Sequence, residues 1–133
     1  MTYIFETNAI YRVEYELILN VQKFRSERGW SQRVLSEKMG FVKTFVGKCE
    51  SLAQPEKYNL RHIGILKKVF GFGSLDQLFP NGIPKDELIK IRYKKVPKIK
   101  TDGTPSNFFD TEVVEIVVVD EETKSRSNKL KGA

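Results

Sequence analysis

The chain has very few residues of the kinds that build disulfide or metal sites. Its one cysteine, Cys49, excludes an intrachain disulfide and is compatible with a reducing cytosol. Its one histidine, His62, has no cysteine or acidic cluster beside it, so no metal site is predicted. We interpret Cys49 as a small buried hydrophobic residue.

Other classes are disfavoured by what the sequence does not contain. No apolar run approaches the length of a membrane span, and residues 1–11 lack the basic cluster of a secretory signal. We therefore expect a cytoplasmic protein without a membrane partner. No nucleophile–base pair and no phosphate-binding glycine loop is evident. We therefore predict that the protein is not an enzyme and that it binds no cofactor.

What the chain does contain is an excess of basic residues. Its 133 residues include 23 Lys and Arg against 17 Asp and Glu, which gives a formal net charge of +6. Such a balance favours an anionic partner, of which nucleic acid is the commonest. With 40% hydrophobic residues, the chain can form one packed domain and an extension.

Apolar residues recur at helical spacing through the first 80 residues, which we assign to one domain. We predict a mainly α fold with five helices and a short C-terminal extension that is partly β-type and partly disordered. Five helices are predicted. They begin at Thr7 or Asn8 (ending at Arg28), at Ser31, near Val42 (ending at Glu50), at Asn59, and at Ser74, where Ser74 and Gln77 form the S-x-x-Q capping box of a short helix ending at Phe79.

The extension, 81–133, changes to a period of two. Strands are predicted near 88–95 and 112–119, separated by a long turn-rich segment, and the composition from Lys124 onward indicates disorder. Residues 90–100 carry only basic charges and residues 110–122 only acidic ones. Two interpretations are open: the basic segment is a second DNA contact, or the two segments pair, within one chain or between two.

The segment Ser31–Glu50 has the form of a helix-turn-helix, with Gly40 in the turn. The surrounding string, Arg25 to Gln32 followed by Leu35, Gly40, Val46 and Glu50, resembles the Cro/C1-type (xenobiotic-response-element-like) family of bacterial and phage transcriptional regulators. The resemblance covers roughly Leu17 to Phe79. It departs from the family at Val42, where a serine or threonine commonly caps the third helix.

The third helix is the expected reader of base sequence. Val46 and Cys49 should point inward, and the outward residues then become candidates for base contacts. These candidates are Lys43, Thr44, Phe45, Gly47 and Lys48.

The remaining candidates concern the DNA backbone and the bracing of the reading helix. Gln32, in the first turn of the second helix, is implied by the resemblance to bind a phosphate, where the helix dipole also favours one. Ser31, Ser51, Lys57 and Arg61 are further phosphate candidates. The resemblance also implies an ion pair between Arg25 and Glu50, and Arg25 could in addition reach a phosphate. Trp30 is expected to pack the junction of the first two helices.

These inferences favour a sequence-specific regulator of transcription, most simply a repressor, that binds double-stranded DNA at the nucleoid as a homodimer on two half-sites. Two alternatives stay open. The chain could be the antitoxin of a toxin–antitoxin pair, with a protein partner held by the extension. It could also be a protein-interaction module whose helix-turn-helix no longer binds DNA.

Overall fold

The computed structural model describes residues 3–119, in two compact units. One unit is Tyr11–Asp86, and the other joins the described residues before it, 3–10, to those after it, 87–119. The disorder predicted from Lys124 onward lies outside the described residues.

The first unit is helical. Its helices are α1 (Arg12–Glu27), α2 (Gln32–Met39), α3 (Phe45–Glu50) and α4 (Leu60–Phe70), followed by a 3-10 helix at Leu75–Leu78. Each helix turns an apolar stripe inward, because residues three and four apart share one helix face. The core includes Ile18, Val21, Leu35, Val46, Leu66 and Leu78, all of which are fully buried.

The ends of α2 and α4 follow from their capping residues. The Ser31 hydroxyl accepts a hydrogen bond from the Val34 N–H (3.1 Å), and Asn59 caps α4 in the same way through the His62 N–H (3.0 Å). Gly40 ends α2 with a φ of +83°, a left-handed conformation that glycine adopts without a steric penalty. The short turn to α3 begins there.

Two predicted helix starts are wrong. The first helix begins at Arg12, not at Thr7 or Asn8, because the Thr7 N–H donates to the Ile91 carbonyl (3.0 Å) and the Ile91 N–H donates to the Thr7 hydroxyl (3.0 Å). This pairing joins residues 84 positions apart, beyond the reach of a local pattern. The third helix begins at Phe45 and not near Val42, since residues 41–44 form the turn.

The second unit is an antiparallel sheet. Its strands are β1 (Phe5–Glu6), β2 (Ile10–Tyr11), β3 (Leu88–Ile99) and β4 (Pro105–Val118), and β3 pairs with each of the others. The β3–β4 ladder runs from Ile89 opposite Val118 to Ile99 opposite Pro105. A tight turn closes it, with Gly103 at a φ of +88°. The segment expected to be a long loop is therefore mostly strand.

The prediction of a mainly α, five-helix fold is wrong. The described residues form four α-helices and a four-stranded sheet, with 38% of residues helical and 26% in strands. The fifth helix is only a 3-10 turn of four residues. What was expected as a short extension forms a sheet together with the N-terminal residues. No helix within residues 3–119 is both long and apolar enough to cross a membrane.

Candidate nucleic-acid interface

The turn between α2 and α3 is held by a buried serine. Ser36 is fully buried, and its hydroxyl donates to the Gln32 carbonyl (2.8 Å) and accepts from the Val46 N–H (3.0 Å). Val46 is the second residue of α3, where backbone N–H groups lack a partner within the helix. Thr44, the residue before α3, makes no side-chain cap. Ser36 on α2 thus supplies the cap of α3 that Val42 cannot supply.

We expect Ser36→Ala to lower the free energy of unfolding by about 1–3 kcal/mol, because it leaves a buried N–H without an acceptor. Denaturant unfolding followed by circular dichroism measures the loss. Ser26→Ala is the control, since Ser26 is exposed within α1. Equal stability of the two variants would contradict the capping role.

The base of α3 is fixed by an ion pair between Arg25 and Glu50. The Arg25 Nε and Nη2 atoms donate to the two carboxylate oxygens of Glu50, at 3.0 and 2.8 Å. The remaining Arg25 nitrogen donates to the Trp30 carbonyl (3.0 Å). The side chains of Arg25 and Glu50 are only 15% and 3% exposed. All three guanidinium nitrogens of Arg25 have partners within the protein, so Arg25 has a structural role and fixes the end of α3.

Gln32 joins the same network. Its side-chain nitrogen donates to Glu50 Oε1 (2.9 Å), which ties the start of α2 to the end of α3. A Cβ atom added at Gly47 would lie only 3.2 Å from the Oε1 atom of Gln32, which is closer than an ordinary van der Waals contact. The absence of a side chain at Gly47 therefore makes room for Gln32. Because one hydrogen of the side-chain amide of Gln32 is donated to Glu50, only the second hydrogen of that amide is left to donate to a phosphate.

Lys43, Thr44 and Lys48 are exposed around α3. Lys43 and Thr44 lie in the turn just before it, and Lys48 is in its last turn. Within residues 3–119, neither lysine forms an ion pair with an acidic side chain. Unpaired cations beside a hydroxyl suit an anionic or acceptor-rich ligand.

Phe45 is turned toward an aromatic cluster. Its ring centroid lies 4.6 Å from Phe41, 4.7 Å from His62 and 6.0 Å from Tyr58. His62 accepts a hydrogen bond from the Asn59 N–H at Nδ1 (3.0 Å), and partial burial lowers its pKa, with the Arg61 charge adding to the effect. His62 is thus a neutral capping and packing residue, and Phe45 is half-buried beside it.

The four other phosphate candidates are not equivalent. The Ser31 hydroxyl accepts the capping hydrogen bond of α2 from the Val34 N–H, which leaves its own O–H able to donate to a phosphate. The Lys57 ammonium donates to the carbonyls of Ser51, Gln54 and Glu56, at 3.2, 2.8 and 3.0 Å, and burial lowers its pKa. Lys57 thus holds the loop after α3 closed. Ser51 is half-buried, and Arg61 is exposed with its guanidinium 5.5 Å from the Phe41 ring centre. Ser31 and Arg61 are therefore the more accessible phosphate candidates.

The basic strand β3 is paired with acidic residues of its own chain. Four of its cations form ion pairs with β1 and β4: Lys90–Glu6, Arg92 with Glu6 and Glu115, Lys94–Glu112, and Lys98–Asp110. The Arg92 hydrogen bond and charge lower the pKa of Glu6. Of the two interpretations of the charged segments, the structure shows pairing within one chain.

The remaining unusual residues have structural environments. Trp30 stacks on Phe70 at 5.9 Å, with the Lys38 ammonium 4.6 Å from its ring centre. Cys49 is fully buried, and burial raises its pKa to about 11, which disfavours the reactive thiolate. Among residues 3–119, no group of three or more His, Cys, Asp or Glu is placed to hold a metal.

Comparisons with protein-family models, curated proteins and solved structures found no match to this chain. The resemblance to Cro/C1-type regulators therefore stays a hypothesis.

Proposed function

We propose that this protein is a sequence-specific double-stranded DNA-binding regulator that uses α2, the following turn and α3 as a helix-turn-helix. The observation that carries the proposal is the contrast between the buried side of α3 and the exposed residues around it. Glu50, Val46 and Cys49 are buried. Lys43 and Thr44, in the turn before α3, and Lys48, in its last turn, are exposed, and neither lysine has an ionic partner among the described residues.

The bracing of α3 suits a reading element. A base contact discriminates only when the side chain is held in a fixed register on the duplex. Here the contacts of Ser36, Arg25 and Gln32 fix a helix of only six residues, which would be marginal alone. Lysine donors can bond to guanine O6 and N7, and threonine offers a hydroxyl and a methyl group. Phosphate contacts then fall to Arg61, to the Ser31 O–H and to the second amide hydrogen of Gln32.

Selection of bound duplexes from a random library at two salt concentrations, followed by sequencing of the selected duplexes, tests this proposal. We expect one enriched motif that persists at the higher salt concentration, because base contacts depend less on salt than phosphate contacts do. Binding without an enriched motif would reduce the site to a basic surface. No binding at low salt would overturn the proposal.

A further inference from the structure

A cleft of about 470 Å³ opens between the C-terminal halves of α2 and α4. Its apolar lining is Met39 of α2 with Ile65 and Val69 of α4, and each helix adds one lysine, Lys38 and Lys68. Met39 is 6% exposed, and Ile65 and Val69 are half-buried. A volume of this size falls within the range of roughly 300–1,000 Å³ that small-molecule sites occupy.

The two lysines of the cleft are not committed to another charge. Within residues 3–119, neither Lys38 nor Lys68 forms an ion pair with an acidic side chain. Both lie in the last turn of their helix, where a cation offsets the helix dipole. The carbonyls of that turn already accept backbone N–H groups, from residues 40 and 41 on α2 and from residues 71 and 72 on α4. The ammonium groups are therefore available to an anionic ligand.

The single tryptophan of the chain holds Lys38 in place at the cleft. The Lys38 ammonium lies 4.6 Å from the centre of the Trp30 ring, which is a cation–π contact. Trp30 in turn stacks on Phe70 of α4, with 5.9 Å between the ring centres. The ring attracts the cation but does not neutralise it. Lys38 therefore keeps its full charge, and its side chain loses little further conformational freedom when an anion binds.

We propose that this cleft binds a small molecule that carries one carboxylate on an aliphatic chain. The chain packs on Met39, Ile65 and Val69, and the carboxylate accepts hydrogen bonds from the ammonium groups of Lys38 and Lys68. Because the cleft is open on one side, the charged head group stays partly hydrated and avoids the cost of full burial. An anion without an apolar part would leave the lining exposed to water, and a neutral chain would leave both lysines without a partner. The inference stands apart from the proposed DNA binding, because it is tested without DNA.

An NMR titration of the full-length chain with octanoate tests the site. We expect saturable shifts of the backbone amides in the last turns of α2 and α4 and of the indole N–H of Trp30. The Kd should be on the order of 1 mM, because the ligand has few atoms. Octanol has the same chain without the charge, and it should bind at least about fivefold more weakly. Shifts that do not saturate, or that centre on the exposed apolar residues of β4, would overturn the proposal.

Substitutions separate the contribution of the lysines from that of the apolar lining. Replacing Lys38 and Lys68 together with alanine should weaken octanoate binding roughly 10-fold and leave octanol binding nearly unchanged. The matched control replaces Lys23 and Lys48 with alanine, two exposed lysines that do not line the cleft, and should leave the binding of both ligands nearly unchanged. Val69→Thr should weaken both ligands alike, by about threefold, because it makes the lining more polar. Equal octanoate binding by the two double variants, or octanol binding as tight as that of octanoate, overturns the proposal.

Discussion

Replacing Glu50 with alanine is expected to lower the free energy of unfolding by about 3–5 kcal/mol, the usual loss when one partner of a buried ion pair is removed. The loss is large because the Arg25 side chain, only 15% exposed, would keep its charge without the bidentate acceptor. Gln32 would lose its acceptor as well. Denaturant unfolding measures the change.

Glu37→Ala is the matched control for that experiment. Glu37 also pairs with an arginine, Arg33, at 3.0 Å, but both side chains are more than half exposed. An exposed pair four residues apart on a helix is worth about 0.3–0.5 kcal/mol. If the two variants lost the same stability, the buried network would not be what fixes α3.

Replacing Lys43 and Lys48 together with alanine is expected to weaken binding to the selected duplex between about 30-fold and 10⁴-fold. Each base contact contributes about 1–3 kcal/mol of discrimination, and the variant loses two of them. Fluorescence anisotropy on the selected duplex and on one scrambled duplex measures it. The preference for the selected duplex should fall most, and the unfolding free energy should change little, because both lysines are exposed.

The control for the lysine pair removes the same charge elsewhere. Lys23 on α1 and Lys68 on α4 are also exposed. Their double alanine variant should lower affinity for both duplexes slightly and equally, through long-range charge alone. Equal losses of preference in both double variants would show that Lys43 and Lys48 are not the readers.

The local spacing of apolar and capping residues predicted the helical unit better than it predicted the sheet. The apolar stripes of α1, α2 and α4, and the caps Ser31 and Asn59, are read directly from spacing and residue type. The sequence pattern places β2 inside the first predicted helix and predicts no strand at β1, because a two-residue strand carries no periodicity of its own. Only its partner β3, more than 80 positions later, makes it a strand.

The candidate site shows the same division between local and long-range information. Lys43, Thr44 and Lys48 are exposed as outward positions of the motif should be. The cap of α3 by Ser36 could not be read from the turn itself, since the serine lies ten positions before the N–H that it accepts. A polar residue within the apolar stripe of a helix is the signal that could have found it. Likewise, the hydrogen bonds of Lys57 to three carbonyls depend on a loop shape that composition does not encode.

The most direct test that α3 is the reading helix is an NMR titration of the chain with the selected duplex, in which the shifts of the backbone amides are followed. We expect the largest shifts at Lys43, Thr44 and Lys48, with smaller ones at Gln32 and Arg61, and little change on β3 and β4. Shifts concentrated on the β3–β4 hairpin, with α3 unaffected, would contradict the assignment of α3 as the reading helix.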